Sequence, residues 1–424
     1  MNIQQISLQN FKCFERQEFD LNPQFTILIG DNGKGKSAIL DALAISIGGF
    51  LQGIDEAQTR WIQRDEIRLK DFGENIERQL PVVITTTGKF DDKEVTWYRS
   101  VETLSGSNTS RGTKSIADLA KVSAAKARNG EEITLPVLVN YATSRLWLNK
   151  RIRSRKTQAK GSRLELGYKD CMNPTVQNKY FLQWIKTYEL SIIQKQKNAD
   201  ALNAVKHAIS QCVEEWDVIF YDFEEDDLVG YSTHGTKEQL PFRLLSDGVR
   251  NMIGMIADIA YRCMILNPHL GSESIVQTPG VVLIDELDLH LHPSWQKKVV
   301  GDLKSTFPNI QFVASTHSPF IVQSLKSDEL INLDQETDVN LQGLGIEEIS
   351  EGVMGVSHPK SKVFTEMEKV ATEYFLLVKQ GEDSKDFEEI EQIKERLDEL
   401  LIPFSEDPAF TAQLKMERLA KLGN

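Results

Sequence analysis

The sequence predicts an α/β fold of the P-loop type, a mixed sheet flanked by helices, on three observations. Phe25–Ile29 and Val281–Ile284 are short, wholly apolar runs, the pattern of buried parallel strands. The first ends at a glycine-rich octapeptide and the second at two adjacent carboxylates, Asp285 and Glu286. Strand and helix patterns alternate again from about residue 244 onward, as in sheets covered by helices.

The elements follow in order. Ile3, Ile6 and Leu8 have strand-like spacing and open a small β unit that leads to Phe25–Ile29. Ile39, Leu40, Leu43, Ala44 and Ile47 place a helix over residues 37–48. Residues 81–87 and 94–98 read as an antiparallel pair joined by the turn Lys89–Lys93. Residues 105–130 read as loop plus helix, and Leu135–Asn140 as another strand. Helical patterns over 179–191 and 200–216 follow, then a helix over 249–266, the strand at 281–284 and a strand at 311–315. Beyond about residue 345 only helices are expected. The predicted organisation is an N-terminal lobe (1–145), a helical, basic insertion (146–243), a C-terminal lobe (244–340) and an all-helical extension (345–424).

Gly30-Asp31-Asn32-Gly33-Lys34-Gly35-Lys36-Ser37 matches the Walker A pattern GxxxxGK(S/T) at every fixed position. Glycines let backbone N–H groups wrap phosphates, and the following helix adds the positive end of its dipole. Lys36 is the residue to reach the β- and γ-phosphates of ATP, and Ser37 the hydroxyl to ligate Mg²⁺, with Ala38 closing the binding segment. Asp285 and Glu286, at the end of a buried strand, form a Walker B pair. Asp285 is the expected Mg²⁺ carboxylate, and Glu286 the general base for the attacking water.

Three further pieces mark an ABC-type head. Leu245-Ser246-Asp247-Gly248 opens a helix as an LSGGQ-like signature, where Ser246 and the amides near Gly248 suit a γ-phosphate arriving from a second subunit. Asp247 stands where that signature has glycine. Leu287–Pro293 follows Walker B as a D-loop, with Asp288 at the dimer seam. His317, after the next strand, is the residue placed to contact the γ-phosphate. His290 and His292 are read as D-loop residues rather than a metal pair. Arg145 and the residues from Tyr141 occupy the place of a Q-loop.

Charge bounds the partners. The net charge of −13 argues against a chain that coats nucleic acid over its whole surface. Within it, Arg145–Lys169 concentrates nine basic residues against one acid, Glu165, a local candidate for DNA phosphates. The four cysteines have no metal-like spacing and read as buried free thiols. With no apolar run of roughly 20 residues and no leader pattern at Met1–Gln5, a cytoplasmic chain without a membrane partner is expected.

The motif order resembles the RecF/SMC-like branch of ABC ATPases, including the opening Ile6–Lys12. Tyr141–Trp147, Leu245–Asn267, Val281–Gln296, Phe307–Pro319 and Ile349–Pro359 resemble one group in that branch. It is the group of prokaryotic ATPases that serves the Septu anti-phage system and retrons. Ala142, where that group tends to have glycine, and Asp247 are departures. The resemblance implies nucleotide-sandwich dimers and higher oligomers. It also implies a small HNH nuclease partner (PtuB in Septu), controlled by ATP and docked on the C-terminal helices. No HNH pattern occurs in this sequence, and about 105 residues after His317 leave no room for a Toprim domain. Two other readings stay open: a RecF-like repair ATPase that binds DNA directly, and an ATP-binding scaffold with negligible turnover.

Overall fold

The first residues alternate buried and exposed side chains, so they form strands with one covered face. Asn2–Phe11 (β1) and Phe14–Asp20 (β2) pair antiparallel, and Phe25–Ile29 (β3) follows with all five residues buried. This computed structural model covers the 424-residue chain. It describes all residues except 74, 92, 105–110, 143–160, 173–176, 197, 214–215, 234–237, 336–338, 357–361, 381–386 and 402–424.

After β3 the loop enters helix α1 (Lys36–Leu51). A small hairpin, Leu69–Asp71 (β4) and Ile76–Arg78 (β5), precedes the long pair Val82–Phe90 (β6) and Lys93–Val101 (β7). Strands β1, β2, β6 and β7 form one antiparallel sheet in the order β2-β1-β6-β7. Helix α2 (Lys114–Arg128) leads to Val137–Tyr141 (β8).

Region 146–243, expected to be helical, supplies helices α3 (Arg163–Tyr168), α4 (Gln177–Lys195) and α5 (Asp200–Cys212), but also three strands. Val218–Asp222 (β9), Asp227–Tyr231 (β10) and Leu240–Pro241 (β11) make an antiparallel sheet that helical spacing did not reveal. The cause is local: Asp222 caps the turn by accepting from the amides of Glu224 and Glu225, at 2.8 and 3.1 Å, which folds two short apolar runs together. Helix α6 (Asp247–Leu266) packs against α3, α4, α5 and β8, so contacts run across residue 243.

Gly280–Ile284 (β12), helix α7 (Val299–Thr306), Ile310–Ser315 (β13) and Leu330–Asn332 (β14) complete the main sheet. It is parallel throughout, in the order β14-β3-β13-β12-β8. Helix α1 contacts strands of both this sheet and the antiparallel one, which is why almost all of its residues are buried. A buried glutamine stitches the two sheets: Gln311 accepts from the Ile3 amide at 2.8 Å and donates to the carbonyls of Ile3 and Asn22 at 2.7 and 2.9 Å. It takes up main-chain groups of Ile3 and Asn22, both beyond the β1–β2 pairing, which begins at Gln5 and Asp20.

Met1–Ile349 form one compact unit and Ser350–Asn424 a second. In the second, α8 (Lys362–Gln380) and α9 (Phe387–Leu401) pack through Met367, Val370, Ala371, Tyr374 and Leu397. Among the described residues, no helix is long and apolar enough to cross a membrane.

Candidate nucleotide site

In an open parallel sheet, ligand chemistry gathers at the carboxyl ends of the strands. Here those ends bring together the loop after β3, Tyr141 at the end of β8, Asp285–Asp288 after β12, Thr316–His317 after β13 and Asp334 beyond β14.

The loop is built for close approach. Gly33 and Gly35 have φ of 85° and 106°, a region that costs other residues. A Cβ on Gly35 would lie 2.7 Å from Cys13 Sγ and closer still to the Phe14 ring, so the β1–β2 turn packs directly on the loop. Asp31, Asn32, Gly33, Lys34 and Ser37 are exposed, whereas Ala38 and Lys36 are buried. The Lys36 ammonium donates to the carbonyls of Gly30 and Asp31, at 2.6 and 3.1 Å. Burial pushes its pKa below the ordinary lysine value, while the carboxylates of Asp334, Asp285, Asp31 and Glu286 act in the opposite sense.

Walker A and Walker B meet through side chains. Ser37 Oγ donates to Asp285 Oδ2 at 2.9 Å, and Ser315 Oγ donates to Asp285 Oδ1 at 2.6 Å. The same Ser315 oxygen accepts the Glu286 amide at 2.8 Å. Glu286 has φ of 53°, an unusual conformation for a side chain of its size, and the Ser315 contact helps to hold it there. Asp288 Oδ1 accepts from Thr316 Oγ1 at 2.5 Å and from the His317 amide at 3.2 Å, which fixes the D-loop against the segment carrying exposed His317.

Leu245–Gly248, the expected signature segment, leads into α6. Ser246 caps α6 by accepting the Val249 amide, and Arg250 forms an ion pair with Asp247 beside it. Arg250 thus offsets the carboxylate that replaces the signature glycine. Among the described residues, no hydrogen bond joins Ser246, Asp247 or Gly248 to the phosphate loop. Gly248 instead packs on the D-loop turn: a Cβ there would lie 2.9 Å from the His290 carbonyl carbon and closer still to its oxygen.

The donor set fits Mg²⁺ with a triphosphate. A serine hydroxyl and an aspartate carboxylate in contact are hard oxygen donors, and Mg²⁺ takes one or two such groups beside phosphate and water. No cluster of three or more His, Cys, Asp or Glu able to hold a metal occurs among the described residues. His292 instead caps a short helix by accepting the Ser294 amide at 3.3 Å.

Other expectations need adjustment. Cys171, Cys212 and Cys263 are buried, but Cys13 is exposed, because the tight β1–β2 turn holds it on the rim of the phosphate loop. Arg145–Lys160 of the basic segment, Arg145 as Q-loop counterpart included, lie outside the described residues. Arg163 is described, and its guanidinium donates to the carbonyls of Leu266 and Glu131, at 3.4 and 3.1 Å.

The sequence reading missed two groups here. Asp334 accepts the Asp31 amide at 2.6 Å and pairs with Lys34 at 3.0 Å, from 303 residues away. Lys12 and Arg60 both pair with Asp41 and Glu66, and with Gln63 and Asp65 they line a cavity of about 580 Å³. Neither group carries a motif, since each unites residues distant in sequence.

Comparison with known proteins adds the family. A family model described as "AAA domain" matches residues 5–217, half of the chain. A second, described as "AAA domain, putative AbiEii toxin, Type IV TA system", matches residues 127–323. The retron Vc95 probable ATPase of Vibrio cholerae is 28% identical over 385 residues, 78% of this chain and 73% of that protein. The Septu protein PtuA of Bacillus thuringiensis is 36% identical over 166 residues, 35% of this chain and 40% of that one. The SMC head domain from Thermotoga maritima aligns over 80% of this chain and 97% of its own, with a TM-score of 0.44 and 17% identity.

Proposed function

Since this chain belongs to the AAA-domain family, we propose that it is an ATPase that binds ATP with Mg²⁺ and hydrolyses it between two copies of itself. The observation that carries this reading is the 2.9 Å contact of Ser37 Oγ with Asp285 Oδ2 at the head of α1. Those two residues would hold Mg²⁺, and the ion would supply positive charge against the β- and γ-phosphates. Lys36 turns from the carbonyls of Gly30 and Asp31 to the phosphates, whose oxygens take the loop amides from Gly33 onward. Glu286 accepts a proton from the attacking water as its oxygen bonds to the γ-phosphorus and the bond to the ADP oxygen breaks. His317 contacts the γ-phosphate. Ser246 and the amides near Gly248 meet the γ-phosphate held by the other copy, and Asp288 lies at the seam between copies.

In this reading 1–145 and 244–340 are the two lobes of one head, with 146–243 inserted between them. The likeness to a Septu protein and a retron ATPase supports a place in an anti-phage complex in the cytoplasm. There the ATPase governs a small HNH nuclease docked on residues 345–424. DNA is reached through that nuclease or through Arg145–Lys169.

The test is turnover of labelled ATP by the purified protein and by Glu286→Gln, with bound nucleotide and co-purifying proteins identified. Retention of unhydrolysed ATP by Glu286→Gln, together with an HNH protein in the complex, is the expected result. Wild-type turnover in Glu286→Gln removes the general-base assignment. Tight ATP binding with no turnover in either protein replaces the ATPase with a scaffold. Direct DNA binding by the ATPase alone favours the RecF-like repair reading.

A further inference from the structure

A phosphate loop works because its amides and its lysine face an anion. In this chain the loop already faces one of its own. Asp334 follows β14, which pairs with β3 immediately before the loop, and the Leu333 amide extends that pairing to the Ile29 carbonyl at 3.0 Å. This brings Asp334 Oδ2 to the Asp31 amide at 2.6 Å and Oδ1 to Lys34 Nζ at 3.0 Å. The fit is close: a Cβ on Gly30 would lie 3.1 Å from Leu333 Cβ and 3.2 Å from Asp334 Oδ2. Lys34 is a second lysine in the loop, beside Lys36, and it is half-exposed.

The charge also reaches the site itself. Burial of Asp334 opposes its ionisation, but Lys34 and the Asp31 amide hold its carboxyl below the ordinary aspartate value. It is therefore a carboxylate at neutral pH, and it is the foremost of the acidic groups that act on Lys36. A triphosphate entering the loop meets a fixed negative charge that holds one of the two loop lysines.

We propose that Asp334 is a resident anion of the nucleotide site, holding Lys34 away from the phosphates and thereby setting the affinity for them. The proposal rests on the nucleotide-binding reading above. Entry of phosphate loosens the Lys34–Asp334 pair, and Lys34 then serves as a second phosphate cation. Asp334 acts through the loop, so it is a positioning residue and not a catalytic one.

Asp334→Asn separates charge from shape, since the amide oxygen still accepts from the Asp31 N–H. Removing one partly exposed charge is expected to tighten ATP binding by about threefold to tenfold at low salt. The gain should be smaller for ADP, absent for adenosine, and reduced near 1 M salt, where charges are screened within about 3 Å. In a Lys34→Ala background the gain should shrink, because no lysine is released. The measurement is fluorescent-nucleotide titration with adenosine competition, beside a thermal melt of each variant. Unchanged or weaker ATP binding by a folded Asp334→Asn protein overturns the proposal, as does an equal gain for adenosine. A wild-type protein that binds no nucleotide overturns the site reading, and the proposal with it.

Discussion

Gly248→Ala tests whether the signature helix and the D-loop act as one body. The added Cβ would meet the His290 carbonyl, a main-chain group that has no rotamer to escape into. Helix α6 is buried along most of its length, so the D-loop turn must give way. His290 already has φ of 62°, which leaves that turn little slack. Overpacking of this kind costs about 1–3 kcal/mol, and alanine in place of helical glycine returns up to about 1. The net displacement falls on Asp288 and its bonds to Thr316 and the His317 amide. A loss of 1–2 kcal/mol expressed in the hydrolytic step slows turnover by about fivefold to thirtyfold. Affinity for ADP, which lacks the γ-phosphate that the amides near Gly248 meet across the seam, should be unchanged, since Lys36 and Ser37 lie on another element. The assay pairs ADP titration with steady-state hydrolysis at saturating ATP. A folded Gly248→Ala protein with wild-type turnover refutes the coupling, and so does one whose ADP binding falls in step with its rate.

Further outcomes follow from the same structure. Lys36→Ala should abolish detectable nucleotide binding, whereas Glu286→Gln should keep it and lose about a hundredfold or more in turnover, read by single-turnover hydrolysis. Gln311→Leu orphans the buried main-chain groups of Ile3, and should cost about 2–5 kcal/mol in denaturant unfolding. Burial pushes the Cys171, Cys212 and Cys263 thiols from 9.0 up to about 12. Raised folded-state values mean stability that is complete below pH 9 and is lost as pH climbs toward 12, visible as a falling melting temperature. At pH 8 a thiol reagent should modify Cys13 alone, with all four cysteines reacting after denaturation.

The parts legible in the sequence were those whose signal is local. The phosphate loop needs its glycines and lysine at fixed spacing, and β3, β12 and β13 are apolar throughout because both faces of a parallel strand are covered. Strand β14 is only three residues long, each half-buried, and no periodicity can mark so short a run. Strands β9 and β10 were obscured by the helical spacing around them and by the acidic four-residue turn, 223–226, that joins them. Asp334 was invisible for a different reason. Its role arises only because β14 returns beside β3 after some three hundred residues, a fact of topology and not of pattern.

That topology also sets an order of assembly on the ribosome. Strand β3 and its phosphate loop are complete by residue 37, yet both neighbours of β3 in the sheet, β13 and β14, come after residue 309. At roughly 5–20 residues per second, the ribosome takes on the order of 15–60 s to supply them. Until then α1 has its cover from β1, β6, β7 and helix α2, and the apolar side that will meet β12 and β13 lies open. The nascent chain therefore carries an exposed hydrophobic helix through most of its synthesis, and its ATP site comes into being only with the last strands of the head.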